Sequence, residues 1–389
     1  MRAITFVIPA RNNLEFLKIC YNSLKKLEGS HHILILDDAS SDGTSEWLDS
    51  LDDERLHCYK NSGPERVGIV GMFDKGIAMA PTDIIMAFHA DMVAAPDLDY
   101  QILKHLDKRK VVCATRLEPP IHPDHQSKVL VDLGSEVKDF DYDKFVDWCK
   151  NDYQKKPDSE TTNGMFAPWC MYKEDFLSIG GHDELFAPQS REDSDLFYRF
   201  VINGYELIQT WDGLVYHFTS RGSRFNKISG GDTGVDSPEW QKTNHKNERN
   251  FFRKWGTDVL LDQYLSPIIF PKYDVAIVCK YCNPTLLYHL EPVCDVIYQD
   301  CSSENVKSYV SENCDKTLFN LDSRIKKITE FNYHQVTVYV DGRNFDQKDF
   351  NLIKNLSSAI SSNNLLGHYK VGNLIIIIDD IQDFQSKNK

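Results

Sequence analysis

The chain has 389 residues, 41% of them hydrophobic and 12% aromatic, which is the composition of a globular protein and excludes a largely disordered one. Its net charge of −14 argues against a broad binding face for nucleic acid, so we expect no nucleic-acid partner. The apolar runs are too short to cross a bilayer, so we expect no transmembrane segment. The start, MRAITFVIPARNN, has the pattern of a first β-strand and not of a signal peptide.

Strand and helix patterns alternate through the first part of the chain. The predicted strands cover residues 4–9, 33–36, 56–59 and 83–87, and the predicted helices cover 13–27, 44–51 and 70–79. Such alternation predicts an α/β fold with a mainly parallel sheet, right-handed crossovers and helices on both faces.

The pattern weakens between residues 119 and 164. This charged and aromatic stretch is interpreted as an insertion carrying a helix near 142–153. Beyond it we expect a helix at 194–203 and a strand at 207–210. The stretch 222–250 is rich in Gly, Ser, Asn and Lys, which is typical of a mobile loop.

A new series of strands and helices starts after Pro267 and Pro271. The predicted strands cover 275–279, 293–299, 336–340 and 374–378, and the predicted helices lie near 303–313 and 346–363. We therefore expect two domains, one of residues 1–266 and a smaller α/β domain of residues 267–389. The sequence does not indicate what the smaller domain does.

The cysteines favour a reducing compartment. All 10 are scattered, without the tight and even spacing of a secreted disulfide scaffold, so we expect a cytoplasmic protein. Cys279 and Cys282 form a lone Cys-x-x-Cys, and no second close pair follows to complete a zinc site. We expect structural cysteines rather than zinc or redox chemistry.

An acidic turn follows the second predicted strand, in ILILDDASSDGT at residues 33–44. Four apolar residues lead directly into Asp37 and Asp38, and short hydroxyl side chains come next. In open α/β sheets, ligands bind at the carboxyl ends of the strands. Two carboxylates at such an end suit hydrogen bonds to a base and a ribose. Capping of the next helix by Ser41 or Asp42 is the alternative explanation.

Two further acidic motifs follow, FHADM at residues 88–92 and REDSDL at residues 191–196. Together with the acidic turn they resemble a family 2 glycosyltransferase of the GT-A fold, a Rossmann-like sheet, over residues 1–260. The resemblance implies an enzyme, of hexosyltransferase type, that transfers a sugar from a nucleotide-sugar donor to a glycan or other hydroxyl-bearing acceptor with inversion.

The resemblance places the donor site at the ends of the early strands. FVIPARNN matches the family's first strand and nucleotide-binding turn, and Asp38 matches the residue that hydrogen-bonds the base. Asp74 stands where the family usually has Asn. The implied nucleotide-sugar-binding residues are Pro9, Ala10, Arg11, Asp37, Asp38, Arg66, Asp74, His89, Ala90, Arg221 and Arg224.

A divalent cation, Mn²⁺ or Mg²⁺, is also implied, because the leaving diphosphate must be neutralised. The family's metal motif is Asp-x-Asp, but its first Asp is His89 here, which leaves Asp91 as the carboxylate ligand. His217 ends a later apolar strand, where related enzymes often have a further metal ligand. The expected ligands are Asp91 and His217, with His89 as a third whose ligation the sequence leaves open.

Catalysis is assigned to Glu192 and Asp193, since the second residue of the family's Glu-Asp pair is the general base that deprotonates the acceptor hydroxyl. A favourable charge at a helix N-terminus is the alternative role of these carboxylates. Trp169 and Gly181 are expected at the acceptor site, Trp169 as a stacking platform for a sugar ring.

Two other functions compete. A sugar-phosphate nucleotidyltransferase would have a Gly-rich loop after the first strand, and PARNNLEF contains no glycine. A non-catalytic glycan-binding or scaffold protein would explain the altered metal motif but not the Glu-Asp pair. The sequence does not identify the donor base, the donor sugar, the acceptor or the oligomeric state.

Overall fold

A computed structural model describes residues 2–153, 161–225, 227 and 230–379 of the chain. The chain packs into two compact units. Unit 1 comprises Met1–Thr243 and Leu261–Pro267, and unit 2 comprises Asn244–Leu260 and Ile268–Lys389. The functional domain bounds 1–266 and 267–389 stay a prediction, and the expected insertion 119–164 includes residues 154–160, which lie outside the described residues.

Unit 1 alternates strands and helices as the apolar patterning predicts. Its strands are β1 Ile4–Ala10, β2 His32–Asp38, β3 Leu56–Asn61, β4 Ile84–Ala87, β5 Met92–Ala94, β6 Lys110–Glu118, β7 Lys128–Leu130, β8 Thr161–Asn163, β9 Trp169–Tyr172 and β10 Glu206–His217. Its helices are α1 Leu14–Leu24, α2 Thr44–Asp49, α3 Ile69–Met79, α4 Leu98–His105, α5 Tyr142–Asn151, α6 Lys173–Ser178 and α7 Glu192–Ile202. The next helix, α8 Pro238–Trp255, begins in unit 1 and continues into unit 2.

These strands form a 10-stranded sheet in the order β3-β2-β1-β4-β9-β6-β10-β5, with β7 beside β6 and β8 beside β10. Strands β1 to β4 are mutually parallel, and β9 runs antiparallel to both β4 and β6. Since β10 is parallel to β6, the strands β1 to β4, β6 and β10 all run in one direction. Their carboxyl ends therefore lie along one edge of the sheet.

Apolar side chains cover both faces of this sheet. Phe6 and Ile8 of β1 belong to one core cluster and Val7 to the other, because successive side chains of a strand point to opposite faces. Leu17 of α1 packs in the first cluster and Met72 of α3 in the second, and both are fully buried. The predicted mainly parallel sheet with helices on both faces is confirmed.

The prediction of a mobile loop at 222–250 was wrong for its second half, where α8 begins at Pro238. Glycine and serine occur mainly before this helix. The helix itself has many charged and amide side chains and few apolar ones, so the sequence shows no clear helical repeat of apolar residues. Near its end, Phe251 and Phe252 are buried, at 1% and 4% exposure. Their apolar area supplies the packing that stabilises a helix of low overall hydrophobicity.

Unit 2 contains a second, smaller sheet. Its strands are β11 Val275–Lys280, β12 Val296–Gln299, β13 Ile325–Lys327, β14 Val336–Asp341, β15 Gly367–Val371 and β16 Leu374–Ile378. The order is β13-β12-β11-β14-β16-β15, with β13 to β14 parallel and the last two strands antiparallel to their neighbours. The helices are α9 Pro284–Leu290, α10 Ser303–Asn313, α11 Leu321–Arg324, α12 Gln347–Lys354 and α13 Leu356–Asn363. The predicted second α/β sheet is confirmed.

A buried carboxylate organises the polar interior of unit 2. Glu291 is fully buried, and its oxygens lie 2.6 Å from Arg324 Nε and 2.6 Å from Arg253 Nη2. The Tyr309 hydroxyl donates to it at 2.8 Å. Burial opposes the ionised form, but the two arginines outweigh it and lower the pKa of Glu291 to about 2.

Across the ranges that the structure describes, none of the helices combines the length and the apolar character needed to cross a bilayer.

Candidate functional site

Three potential metal ligands meet at the carboxyl edge of the unit 1 sheet. His89 and Asp91 follow β4, and His217 ends β10. One ligand atom from each lies within 4.8 Å of the others. The pairing of β5 with β10 sets Met92 opposite His217, which brings the preceding Asp91 to within 3.5 Å of the His217 ring, measured from Oδ2 to Nε2. We refer to His89, Asp91 and His217 as the ligand cluster.

The donor set of the ligand cluster fits a divalent cation. A carboxylate oxygen and two imidazole nitrogens are acceptable to Mn²⁺, and imidazole suits Mn²⁺ better than Mg²⁺. Asp91 is 6% exposed, so its charge lies in a poorly solvated position where a counter-charge is favourable. His89 lies with its ring centroid 6.2 Å from that of His217, so the third candidate ligand is placed with the other two.

The two histidines of the ligand cluster differ in charge. Burial lowers the pKa of His89 to about 4, so its imidazole is neutral and keeps a free lone pair at neutral pH. Burial also opposes the charged form of His217, but Asp91 and Glu118 outweigh it and raise the pKa of His217 to about 9. Without a cation, protonated His217 therefore balances the neighbouring carboxylates. A divalent cation would replace that proton.

Glu118, which the sequence analysis missed, orients His217. Its Oε1 lies 3.0 Å from His217 Nδ1, and its Oε2 accepts from Lys128 Nζ at 2.8 Å. A carboxylate on the far nitrogen of a ligating histidine sets its tautomer and direction. Burial opposes ionisation of Glu118, but His217 and the nearby cations keep its pKa well below the usual range. The only signal in the sequence is a glutamate at the end of an apolar run, VVCATRLE.

Arg116 is a second missed residue. Its guanidinium lies 4.2 Å from the centre of the Phe166 ring, and its Nη1 is 3.5 Å from Glu118. Its charge contributes to the lowered pKa of His89, so it acts electrostatically on the ligand cluster. Arg116 Nε is buried and has no hydrogen-bond partner among the described residues. Arg116 is thus a cation with unused donor capacity beside the cluster.

The acidic turn lies next to the turn after β1. The register pairs Pro9 with Leu36 and Ala10 with Asp37, and Arg11 Nη1 donates to the carbonyl oxygen of Asp38 at 2.8 Å. The predicted base-binding residues Pro9, Ala10, Arg11, Asp37 and Asp38 therefore lie together, with Ala90 next to the ligand cluster and 6% exposed.

Asp38 already has partners within the chain. Its Oδ1 accepts from Val67 N at 2.8 Å, and its Oδ2 accepts from Gly68 N at 2.8 Å, just before α3 begins. Asn61 Nδ2 donates to Oδ1 at 2.9 Å. Asp38 thus serves the start of α3, while Asp42, one of the two capping candidates for α2, accepts from the first N–H of that helix, Thr44 N, at 3.2 Å. At α2 the cap residue is Gly43, without a side-chain capping bond.

The Glu-Asp pair begins α7, directly after two left-handed residues, Ser190 at φ 76° and Arg191 at φ 68°. Glu192 Oε2 is buried without a hydrogen-bond partner in the part of the chain that the structure describes. Burial and the neighbouring Asp193 raise the pKa of Glu192 to about 8. The charge of Asp193 acts on His89, so this carboxylate also lies near the ligand cluster.

Asp74 and Gly181 are engaged with each other. Asp74 Oδ1 lies 2.6 Å from His182 Nδ1, and the same carboxylate accepts from His182 N. A Cβ on Gly181 would lie 2.8 Å from Asp74 Oδ2, at a backbone φ of +66° that disfavours other residues. This contact ties α3 to the turn after α6, and the donor role of Asp74 and the acceptor role of Gly181 stay predictions. His182, in Gly-Gly-His, was missed.

Three of the arginines predicted to bind the nucleotide-sugar, and Trp169, have partners within the chain. Arg66 pairs with Glu239 at 3.0 Å, Arg221 pairs with Glu136 at 2.9 Å, and Arg224 pairs with Asp236. Trp169 is 3% exposed and packs in the core against Phe176, with ring centroids 5.9 Å apart. Trp169 therefore has a core position in the described structure, and its acceptor role stays a prediction.

Residues 5–176 match the family model described as Glycosyl transferase family 2. No curated protein shows significant sequence similarity to the chain. Glu192, Asp193 and His217 lie beyond the matched segment.

Several solved structures are similar to the chain at low identity. The structure of GalNAc-T7 with UDP, GalNAc and Mn²⁺ is 15% identical with a TM-score of 0.43, covering 56% of this chain and 44% of its own. The mannosyltransferase PcManGT from Pyrobaculum calidifontis, in complex with GDP-Man and Mn²⁺, is 14% identical with a TM-score of 0.43. The match covers 83% of this chain and 77% of the mannosyltransferase chain. S. aureus TarS 1-349 in complex with UDP-GlcNAc is 11% identical with a TM-score of 0.41. The match covers 65% of this chain and 73% of the TarS chain.

This chain spans less than half of the GalNAc-T7 structure. TM-scores this low do not indicate which ligands this chain binds. The family match, in contrast, rests on the sequence itself. The predicted resemblance to glycosyl transferase family 2 is confirmed over residues 5–176, which make up less than half of the chain.

Proposed function

We propose that this chain is an inverting glycosyltransferase, which transfers a sugar from a nucleotide-sugar donor to an acceptor hydroxyl with the help of Mn²⁺ or Mg²⁺. The observation that carries the proposal is the ligand cluster, with its ligand atoms within 4.8 Å of one another in a chain whose residues 5–176 match glycosyl transferase family 2. A site that bound only the base of a nucleotide would not require the side chains of the ligand cluster to lie together.

The donor is assigned to the carboxyl edge of the unit 1 sheet. The base binds beside Asp37 and Asp38, and the diphosphate faces the ligand cluster. His89, Asp91 and His217 would hold a cation, which supplies positive charge that stabilises the leaving diphosphate. Arg116 supplies a further cation there, since its Nε has no hydrogen-bond partner among the described residues. Arg221 and Arg224 stay predicted diphosphate contacts, although each forms an ion pair within the chain.

Asp193 is proposed as the general base. It would accept the proton of the acceptor hydroxyl as that oxygen attacks the anomeric carbon, and a single base without a covalent nucleophile gives inversion. Glu192 has a different role because its raised pKa keeps it protonated at neutral pH. As a neutral acid it would donate a hydrogen bond to a bound substrate, and it would not compete with Asp193 for the proton.

The test is a donor screen that measures nucleoside diphosphate released from UDP- and GDP-sugars with Mn²⁺, Mg²⁺ or excess EDTA. We expect release that requires the metal and that is lost in Asp91→Asn. Asp97→Asn is the matched control, since Asp97 is exposed and has left-handed backbone that Asn tolerates. Full activity in EDTA would refute the metal role, and Mn²⁺ binding without any turnover would favour the non-catalytic alternative.

A further inference from the structure

The chain leaves His217 through a turn with unusual backbone geometry, residues 218–221, which we call the strained turn. Thr219 and Ser220 both have left-handed backbone, at φ 50° and 53°. Such values are uncommon outside glycine and rarest for a β-branched residue such as Thr219. Both residues are buried, at 7% and 6% exposure. Because this conformation costs free energy, it persists only where contacts with other segments hold it in place.

The strained turn is attached to the ligand cluster. Its first residue, Phe218, directly follows His217 and donates its backbone N–H to the carbonyl oxygen of Asp91 at 3.0 Å. Two of the three candidate ligands are therefore joined to the backbone of this turn. A change in the conformation of the turn would shift His217 relative to Asp91.

Contacts to the strained turn come from residues 119–164, the segment interpreted from the sequence as an insertion. His122 Nε2 lies 2.8 Å from the hydroxyl oxygen of Ser220, within hydrogen-bonding distance. Arg221, the last residue of the turn, donates to Glu136 at 2.9 Å. A segment without an assigned function thus supplies two side chains that bind the turn after His217.

We propose that His122 is a positioning residue for the ligand cluster. Its hydrogen bond with Ser220 holds the strained turn and thereby keeps His217 in the position that binds the cation, so this role rests on the proposed metal site. Glu118 contacts His217 itself, whereas His122, further along the same stretch of chain, contacts the turn that follows it. The segment 119–164 acquires a function as a support of the metal site.

A neighbouring histidine distinguishes positioning from a general contribution to stability. His125 Nδ1 lies 2.8 Å from the hydroxyl oxygen of Ser127, so His125 makes the same kind of hydrogen bond within its own segment. Both histidines are half-buried. His125→Phe therefore removes a comparable hydrogen bond but none of those that hold the strained turn, and it is the matched control for His122→Phe.

The experiment measures the Mn²⁺ affinity of the full chain from the electron paramagnetic resonance signal of the free ion. We expect His122→Phe and Ser220→Ala each to bind Mn²⁺ about 3–10-fold more weakly. This is less than the loss of about 10–100-fold for a partner that touches the ligating histidine, because His122 acts through the backbone. The double variant should match either single one, since all three lose the same hydrogen bond. His125→Phe should stay within about twofold of the parent.

Hydrogen exchange of the metal-free chain tests the contact itself. Amide exchange in a peptide that contains residues 217–221 should be faster in His122→Phe and in Ser220→Ala than in the parent, and unchanged in His125→Phe. His122→Gln should restore part of both properties, because its amide can still form a hydrogen bond with the Ser220 hydroxyl.

Parent-like Mn²⁺ affinity in both single variants, an equal loss in His125→Phe, or additive losses in the double variant would each overturn the proposal. Unchanged amide exchange would show that His122 does not hold the strained turn. A parent chain that binds no Mn²⁺ would refute the proposed metal site itself, whereas Mn²⁺ binding that the variants leave unaltered would refute the role of His122 alone. Circular dichroism and thermal melting check folding, and Ser220→Ala provides the second variant if His122→Phe does not fold.

Discussion

The role of Glu118 gives the sharpest test of the site, because this residue lies outside the ligand cluster and contacts it through His217. Glu118→Gln keeps the size of the side chain but removes the charge that holds His217 Nδ1 at 3.0 Å. Loss of such a partner typically weakens metal binding by about 10–100-fold, or about 1.4–2.7 kcal/mol. We expect a weakening in this range for Mn²⁺, measured by the electron paramagnetic resonance signal of the free ion.

Stability must be separated from this effect. Lys128 is 8% exposed and pairs with Glu118 at 2.8 Å, so Glu118→Gln also leaves a buried cation without its counter-charge. Lys128→Met is the matched control, because it breaks the same ion pair and leaves the contact of Glu118 with His217 intact. We expect Lys128→Met to lower thermal stability while its Mn²⁺ affinity stays within about twofold of the parent, well below the loss for Glu118→Gln. Equal Mn²⁺ affinities of Glu118→Gln and the parent would refute the orienting role.

Three further predictions follow from the carboxylates. Asp193→Asn should reduce sugar transfer by about 10²–10⁴-fold with little change in donor affinity, measured with the donor found by the screen; transfer near the parent rate would contradict its role as base. Glu192 stays protonated in the folded chain from its usual pKa of 4.5 up to about 8, so its contribution to stability falls as the pH rises through that window. In urea unfolding, the stability of Glu192→Gln relative to the parent should therefore increase from pH 5 to pH 9, and a flat difference would contradict its burial. Glu291→Gln should destabilise unit 2 by about 3–5 kcal/mol at pH 7, because it removes the carboxylate with which the buried Arg253 and Arg324 both pair, and unchanged urea unfolding would contradict this network.

The parts of the site that follow strands were predictable from the sequence. Asp37, Asp38, His89, Asp91 and His217 each come at or just after the end of an apolar run, and strands that run in one direction bring such ends to one edge. The sequence also indicated both sheets, because strand and helix periods are local properties of the chain.

The contacts between distant segments were not predictable. Glu118 meets His217 across 99 residues because β6 lies next to β10, and β6 was not assigned from the sequence. Asp74 meets His182 across 108 residues. Nothing in the sequence around either residue indicates that their side chains form a hydrogen bond. The arginines expected to bind diphosphate have acidic partners whose positions depend on loop conformations that residue patterns do not determine.

The internal partners of Asp38 link the acidic turn to the segment that precedes Asp193. Asp38 accepts from the backbone N–H groups of Val67 and Gly68, and the next turn of α3 contacts the loop before α7, where Val70 N donates to the carbonyl oxygen of Pro188 at 3.4 Å. A Cβ on Gly68 would lie 2.3 Å from the Pro188 side chain, so the two segments are in close contact. A base that hydrogen-bonds to Asp38 must share or displace the bonds that hold the start of α3. That helix end packs on the segment leading to Asp193, so the start of α3 joins the proposed base site to the proposed general base.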